Sequence, residues 1–163
     1  MSVREKEKVE LLQKVLEDPT LYNIVSAIRG PDLHYESALK VLFTIPLRYI
    51  ASGAMSPAEA IRTFMNPTQV RIVLEGIHDV RGNFGHWTSH IIDAYDALFY
   101  LGLIDARIRR YVDVVLEIIS YAHGLTSVTS VKLTNDMIDR YVKEVEEAYK
   151  EEILCEDESA NSK

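Results

Sequence analysis

The chain has 163 residues, of which 47% are hydrophobic and 26% charged, and its formal net charge is −7. This length fits one domain large enough for a hydrophobic core, and the composition excludes a chain that is disordered throughout. Cys155 is the only cysteine, so no disulfide can form within the chain, which excludes a secreted disulfide scaffold.

Capping residues, prolines and glycines divide the chain into eight predicted helices. Ser2 with Glu5 and Ser56 with Glu59 have the spacing of capping boxes, in which side chains bond the free N–H groups of a first turn. Glycines such as Gly53 fit helix ends because they adopt left-handed backbone angles without strain. The predicted helices cover about residues 3–17, 19–29, 33–50, 57–65, 67–80, 86–101, 106–123 and 135–152.

Two segments are predicted to be non-helical. The glycines of residues 81–85, RGNFG, predict a loop, and the strand-like composition of residues 125–134, LTSVTSVKLT, predicts a short extended arm. We therefore expect an all-α, single-domain multi-helix bundle over residues 1–153. A disordered acidic tail is expected at residues 154–163.

The sequence also predicts where the protein resides. Its opening, MSVREKEKVE, is charged and predicts a helix start instead of a secretory leader. The longest nearly apolar stretch, residues 38–51, is too short and too polar to span a bilayer, because it contains Lys40, Thr44, Pro46 and Arg48. We expect a cytoplasmic protein with no membrane partner.

Charge is unevenly distributed along the chain. Residues 132–163 contain 10 acidic and 5 basic side chains, whereas residues 25–125 contain 10 acidic and 9 basic ones. Eight of those nine cations are arginines, whose rigid fork of donors suits carboxylates and phosphates at partly buried sites. The arginines predict either an anion site or ion pairs within helices, and both interpretations stay open.

The predicted helix at 33–50 is apolar on nearly all sides, which is typical of a buried helix. Pro46 lacks a backbone donor and predicts a kink or break near Thr44. The stripe of polar side chains predicts either a charged face turned into a cleft or an ordinary i,i+4 pair beside an exposed arginine. Its members, four residues apart, are Glu36, Lys40, Thr44 and Arg48.

The loop before this helix places an arginine beside a helix N-terminus. Its sequence is Arg29-Gly30-Pro31-Asp32. Free N–H groups at a helix N-terminus attract anions, so Arg29 and Gly30 predict an anion site. Asp32 caps the helix in this arrangement, and an Arg29–Asp32 ion pair is the alternative.

The predicted helix at 86–101 has a polar face without lysine or glutamate, unlike most solvated faces. Trp87 lies on its opposite, apolar side. The polar face resembles the wall of a site, and its members are His86, Ser89, His90, Asp93, Asp96 and Tyr100.

Part of this polar face has the spacing of metal ligands. His86 and His90 are four residues apart and Asp93 follows three residues later, so a divalent metal is the one cofactor that the pattern suggests. No glutamate follows His86, so the H-E-x-x-H pattern is absent. A further ligand would come from His78 or Asp79, and histidines that only donate hydrogen bonds are the alternative.

One set of short elements carries a resemblance to known proteins. Residues 27–32 read AIRGPD, Lys40, Thr44 and Arg48 follow, and His86 and His90 come later. Over residues 24–50 and 84–101 the chain resembles small, largely uncharacterised phage-encoded helical proteins that carry an R-G-P-D loop. The resemblance implies a viral or prophage gene whose non-enzymatic product sequesters a host component or a signalling nucleotide in the host cytoplasm.

The leading hypothesis is a non-catalytic binding protein for an anionic, nucleotide-like ligand. Cations would bind its charge and an aromatic ring would stack on a base, at about 1–3 kcal/mol per stacked base. No catalytic residue is predicted. The predicted ligand-binding residues are Arg29, Gly30, Asp32, Lys40, Arg48, His86, Trp87 and His90.

Two alternatives come from other functional classes. One is a metal-dependent hydrolase centred on His86, His90 and Asp93. The other is a protein–protein interaction module in which helical faces and the acidic C-terminal helix bind a partner, such as a host protein. The apolar helices also predict a homo-oligomer, whereas the acidic chain lacks the basic face that nucleic acid binding needs.

Overall fold

Seven α-helices and two π-helical turns form the regular structure of residues 2–17, 40–77, 84–129 and 132–154, which are the residues that the computed structural model describes. The first π turn (Lys40–Thr44) precedes α2 and the second (Lys150–Leu154) follows α7. No strand occurs in these residues, so the predicted all-α class is confirmed. The helices are α1 (Val3–Glu17), α2 (Ile45–Ser52), α3 (Pro57–Phe64), α4 (Pro67–Glu75), α5 (Phe84–Tyr100), α6 (Ala106–Thr129) and α7 (Asn135–Tyr149).

Side-chain caps set the starts of five of these helices, because each accepts a hydrogen bond from an N–H group that has no partner within the helix. Ser2 accepts from the Glu5 N–H at 3.2 Å, and Asp105 accepts from the Ile108 N–H at 3.0 Å. The caps at Ser2 and Ser56 were predicted. The other capping residues are Ser56, Asn66 and Thr134.

Three predicted boundaries are wrong. The helix α4 ends at Glu75, not near residue 80, and α5 begins at Phe84, inside the predicted loop. The helix α6 continues through Gly124 to Thr129, so residues 125–129 are helical and not an extended arm. Packing outweighs their β-propensity, because Thr126 is buried and its hydroxyl donates to the His123 carbonyl at 3.1 Å. The predicted helix at 19–29 lies outside the described residues.

The kink or break predicted near Thr44 is found as an irregularity, a π turn that passes directly into an α-helix. The π turn ends at Thr44, and α2 then begins with Pro46 in its first turn, where the missing N–H group is not needed. Thr44 is 0% exposed, so the predicted polar stripe is interrupted at this position by a buried side chain.

The core lies mainly between α5 and α6 and the helices around them. α1 packs on α5, α5 packs on α6, and α6 packs on α4, α7 and the second π turn. Two buried tyrosines tie distant segments: the Tyr95 hydroxyl donates to the Phe43 carbonyl at 2.9 Å, and the Tyr111 hydroxyl donates to the Met65 carbonyl at 2.7 Å. Burial raises the pKa of both hydroxyls, so both stay protonated.

No helix in the described ranges has the length and apolar character that crossing a bilayer requires.

Candidate functional site

The structure places only part of the predicted anion site. Arg29, Gly30 and Asp32 lie outside the described residues. Lys40 begins the first π turn, but its side chain is not among those that the structure describes. Arg48 lies on α2 with a partly buried side chain that has an interaction partner.

The histidine-bearing segment forms the first two turns of α5. His86, Trp87 and His90 are helical there, but their side chains lie outside the description. Asp93 follows one turn later and is half-buried. Among the side chains that the structure describes, no group of three or more His, Cys, Asp or Glu residues could hold a metal ion. The metal hypothesis, which depends on His86 and His90, therefore stays a prediction.

Three arginines bond to carboxylates on other helices. Arg71 of α4 pairs with Asp139 of α7, and Arg109 of α6 pairs with Asp96 of α5. The third is Arg110 of α6, which makes two hydrogen bonds, of 3.1 and 3.3 Å, to Glu152 in the second π turn. For these three the predicted pairing within one helix is wrong, because the partners come from other elements.

Asp96 is the centre of a buried charge cluster that sequence reasoning missed. Its carboxylate lies 2.5 Å from Lys8 Nζ of α1 and 2.9 Å from an Arg109 nitrogen of α6. The side chains of Lys8 and Asp96 are each only 9% exposed. The two cations also lie over rings of α5, Lys8 over Tyr100 at 5.2 Å and Arg109 over Phe99 at 5.0 Å. Asp96 thus joins three helices instead of facing a ligand.

A groove with a volume of about 350 Å³ runs between α6 and α7, and we call it the acidic groove. Its apolar lining combines the buried Ile118 with the partly buried Val114 and Ala148. Of the described residues that line it, none is basic. Four exposed carboxylates complete the lining: Glu117, Glu144, Glu147 and Glu151.

A smaller pocket of about 310 Å³ lies on the other side of α6, against α5, and we call it the hydroxyl pocket. Thr88 and Ile92 of α5 face it, together with four residues of α6. Glu117 lines both this pocket and the acidic groove, so the two sites are neighbours. The residues from α6 are Asp113, Leu116, Glu117 and Ser120.

Part of the acidic groove follows from the sequence pattern. Glu144, Glu147 and Glu151 are spaced i, i+3 and i+7, which puts them on one face of a helix. Glu117 could not be grouped with them, because its proximity depends on how α6 packs on α7.

Comparison with known proteins adds no relative: no protein-family model, no curated protein and no solved structure matches the chain.

Proposed function

We propose that this protein is a non-catalytic interaction module whose acidic groove binds a basic, amphipathic helical segment of a partner protein. The observation that carries the proposal is the composition of the groove. An apolar floor of Val114, Ile118 and Ala148 is flanked by four exposed glutamates.

The chemistry of the groove argues for this occupant. A helix that binds in a groove buries its apolar face and leaves its polar side chains at the rim. Lysine and arginine suit this rim, because their aliphatic stems cover apolar surface while their charged ends reach the carboxylates. Complementary charge also speeds association and discriminates against acidic partners.

A matched pair of charge variants tests the proposal. The probe is a synthetic helical peptide with leucines on one face and lysines on the other, titrated by fluorescence anisotropy. The groove variant carries Glu144→Gln, Glu147→Gln and Glu151→Gln. The control variant carries Glu7→Gln, Glu10→Gln and Glu75→Gln, which are exposed and lie on α1 and α4. Both variants change the net charge from −7 to −4.

We expect the groove variant to bind the peptide roughly 3- to 150-fold more weakly, since each of the three exposed ion pairs contributes about 0.2–1 kcal/mol. The control variant should bind nearly as the unaltered protein does. Equal weakening in both variants would show that the peptide senses only net charge, and the proposal would fail.

A second variant tests the apolar floor. Ala148→Trp should fill the groove and weaken peptide binding while the glutamates remain in place. Unchanged affinity would mean that the peptide lies elsewhere. A second copy of this chain is the other possible occupant. If light scattering shows a dimer and the groove substitutions dissociate it, the groove binds a second protomer and not a helix of another protein.

The anionic-ligand hypothesis remains a second proposal, for one specific reason. The bond from the Tyr95 hydroxyl to Phe43 packs the first π turn against α5. The segment that carries Lys40 and Arg48 therefore lies against the helix that carries His86, Trp87 and His90. These groups could together bind a nucleotide-like anion.

A thermal-shift panel separates this second proposal from the first. The panel contains linear and cyclic nucleotides, sugar phosphates, divalent metals and a chelator. A ligand at 100 times its Kd adds about 2.7 kcal/mol of stability, and Arg29→Ala and Arg48→Ala should each reduce the shift. A response that survives both substitutions would contradict an anion site built on them.

The resemblance to phage proteins adds a location and a partner class to either proposal. The protein would act in the host cytoplasm and bind a host component. Expression in the host, followed by fractionation and cross-linking, tests this placement, and recovery only from membranes or the medium would contradict it.

A further inference from the structure

The N-terminal helix α1 is held to the bundle by a charged contact. The Lys8 ammonium of α1 lies 2.5 Å from the Asp96 carboxylate of α5, and both side chains are only 9% exposed. Among the side chains of α1 that the structure describes, the buried ones are Lys8 and Leu12, one helical turn apart. A buried ion pair contributes little net stability, because both charges lose water when it forms. Lys8 regains this hydration when α1 leaves α5.

Asp96 also bonds a cation that does not belong to α1. An Arg109 nitrogen of α6 lies 2.9 Å from the second carboxylate oxygen, and the guanidinium lies over the Phe99 ring at 5.0 Å. Because α5 and α6 pack on each other, this contact does not depend on α1. Breaking a buried ion pair is costly chiefly because one charge is left without a partner. Departure of α1 avoids this cost, because Arg109 still neutralises Asp96 while Lys8 reaches water.

The surroundings of Lys8 also favour its departure. Its ammonium lies 5.2 Å from the centre of the Tyr100 ring, and Tyr100 is 39% exposed at the end of α5, so the path to solvent is short. Lys8 and Arg109 bond the two oxygens of one carboxylate and therefore repel each other. This repulsion exists only while α1 is in place.

We propose that α1 is a releasable strap: it leaves α5 as one unit while the rest of the bundle stays folded, and Arg109 is the counter-ion that holds Asp96 in the released state. Release uncovers the face of α5 that carries Asp96 and Tyr100, so the bundle has two states that differ in one accessible surface. Elements that move when proteins bind partners typically have such low free energies of opening. The strap goes beyond the proposed function and does not depend on the acidic groove.

Hydrogen exchange of the unaltered protein in increasing, sub-denaturing urea tests the separate release. The Leu12 amide reports on α1, and the amide of Val112, a fully buried residue of α6, reports on the bundle. We expect Leu12 to exchange through an opening of lower free energy and weaker urea dependence, because releasing one helix exposes less surface than global unfolding. Equal free energies and equal urea dependence at both amides would show that α1 unfolds only with the whole chain, and the strap would be refuted.

The substitution Arg109→Met tests the assigned counter-ion through the sign of its effect. Without Arg109 the repulsion on Lys8 is gone and Asp96 has no partner in the released state, so both effects favour the attached α1. We expect exchange at Leu12 to be roughly tenfold slower, within the range for charges coupled in one network. Exchange at Val112 should become faster, because a bond between α5 and α6 is lost. Faster exchange at both amides is the result for a merely structural Arg109, and it would overturn the proposal.

Two further variants separate the counter-ion from net charge. Lys8→Met removes one positive charge from the same carboxylate but should make exchange at Leu12 faster, opposite to Arg109→Met. Arg140→Met is the matched control, because Arg140 is exposed on α7, and it should leave exchange at Leu12 unchanged. Slower exchange at Leu12 in the Arg140 variant would assign the effect to net charge, and the role of Arg109 would be rejected.

Discussion

The buried contact between Lys8 and Asp96 gives the most direct test of how α1 is held. The substitution Lys8→Met keeps most of the side-chain length and removes the charge. Of the cations that the structure describes, Asp96 then keeps Arg109 alone, at 2.9 Å and with a side chain that is 33% exposed. Because α1 packs chiefly on α5, the loss weakens the attachment of the N-terminal helix to the bundle.

The structure sets the size of the effect. Removing one member of a buried ion pair typically lowers the free energy of unfolding by about 3–5 kcal/mol. Arg109 still compensates Asp96 after Lys8→Met, so we expect a smaller loss, of about 2–3 kcal/mol. Asp96→Asn leaves the buried Lys8 ammonium without its carboxylate and should reach the full range, about 3–5 kcal/mol.

Urea unfolding followed by circular dichroism measures these differences, with Lys6→Met as the control. Lys6 lies on α1 and is exposed, so its substitution should change stability by no more than about 0.5 kcal/mol. Hydrogen exchange at Leu12, which is 2% exposed, detects α1 if it separates before the rest unfolds. If Lys8→Met and Lys6→Met were equally stable and equally protected, the cluster would not hold α1 and the reasoning would be refuted.

Three further substitutions test single groups. Thr44→Val removes a fully buried hydroxyl without a partner and should stabilise the protein by about 1 kcal/mol, or about 2–4 °C in Tm; a lower Tm would contradict this. Tyr111→Phe should lower the free energy of unfolding by about 1–2 kcal/mol, because the hydrogen bond to the Met65 carbonyl is lost. Tyr121→Phe is the control: this residue is 62% exposed, and its substitution should be nearly neutral in urea unfolding. Asp113 has a folded-state pKa above its ordinary 3.8, so its contribution to stability falls as the pH rises from 3.8 through the folded pKa. Asp113→Asn should therefore be slightly more stable than the unaltered protein at pH 7, with the difference vanishing near pH 3.8; a constant difference across this range would rule out the titration of Asp113 as its cause.

The candidate sites differ in how much of each could be predicted from the sequence. The spacing of Glu144, Glu147 and Glu151 indicates an acidic face, because helical periodicity alone groups these glutamates. The sequence does not predict the apolar floor of the acidic groove, and it does not predict that Glu117 lines two cavities. Both features depend on which helices become neighbours. The hydroxyl pocket gave no sequence signal, since Thr88 and Ser120 are ordinary residues until α5 and α6 pack together.

Interactions within a few residues determined what the sequence alone could predict. The caps at Ser2 and Ser56, the left-handed Gly53 and the irregular turn before Pro46 depend on local backbone groups and on hydrogen bonds that span five residues or fewer. The all-α class follows from the same local signals.

Tertiary structure alone determined the ion pairs between distant residues and the helical state of residues 125–129. Lys8 and Asp96 are 88 residues apart in the chain, and Arg71 finds its carboxylate 68 residues away. No periodicity relates such positions, because the free energy of pairing them depends on burial and orientation that exist only after the helices pack. For the same reason residues 125–129 became helical despite their strand-like composition: the packing of Ala122 and Thr126 in the core outweighs a backbone preference of at most about 1 kcal/mol.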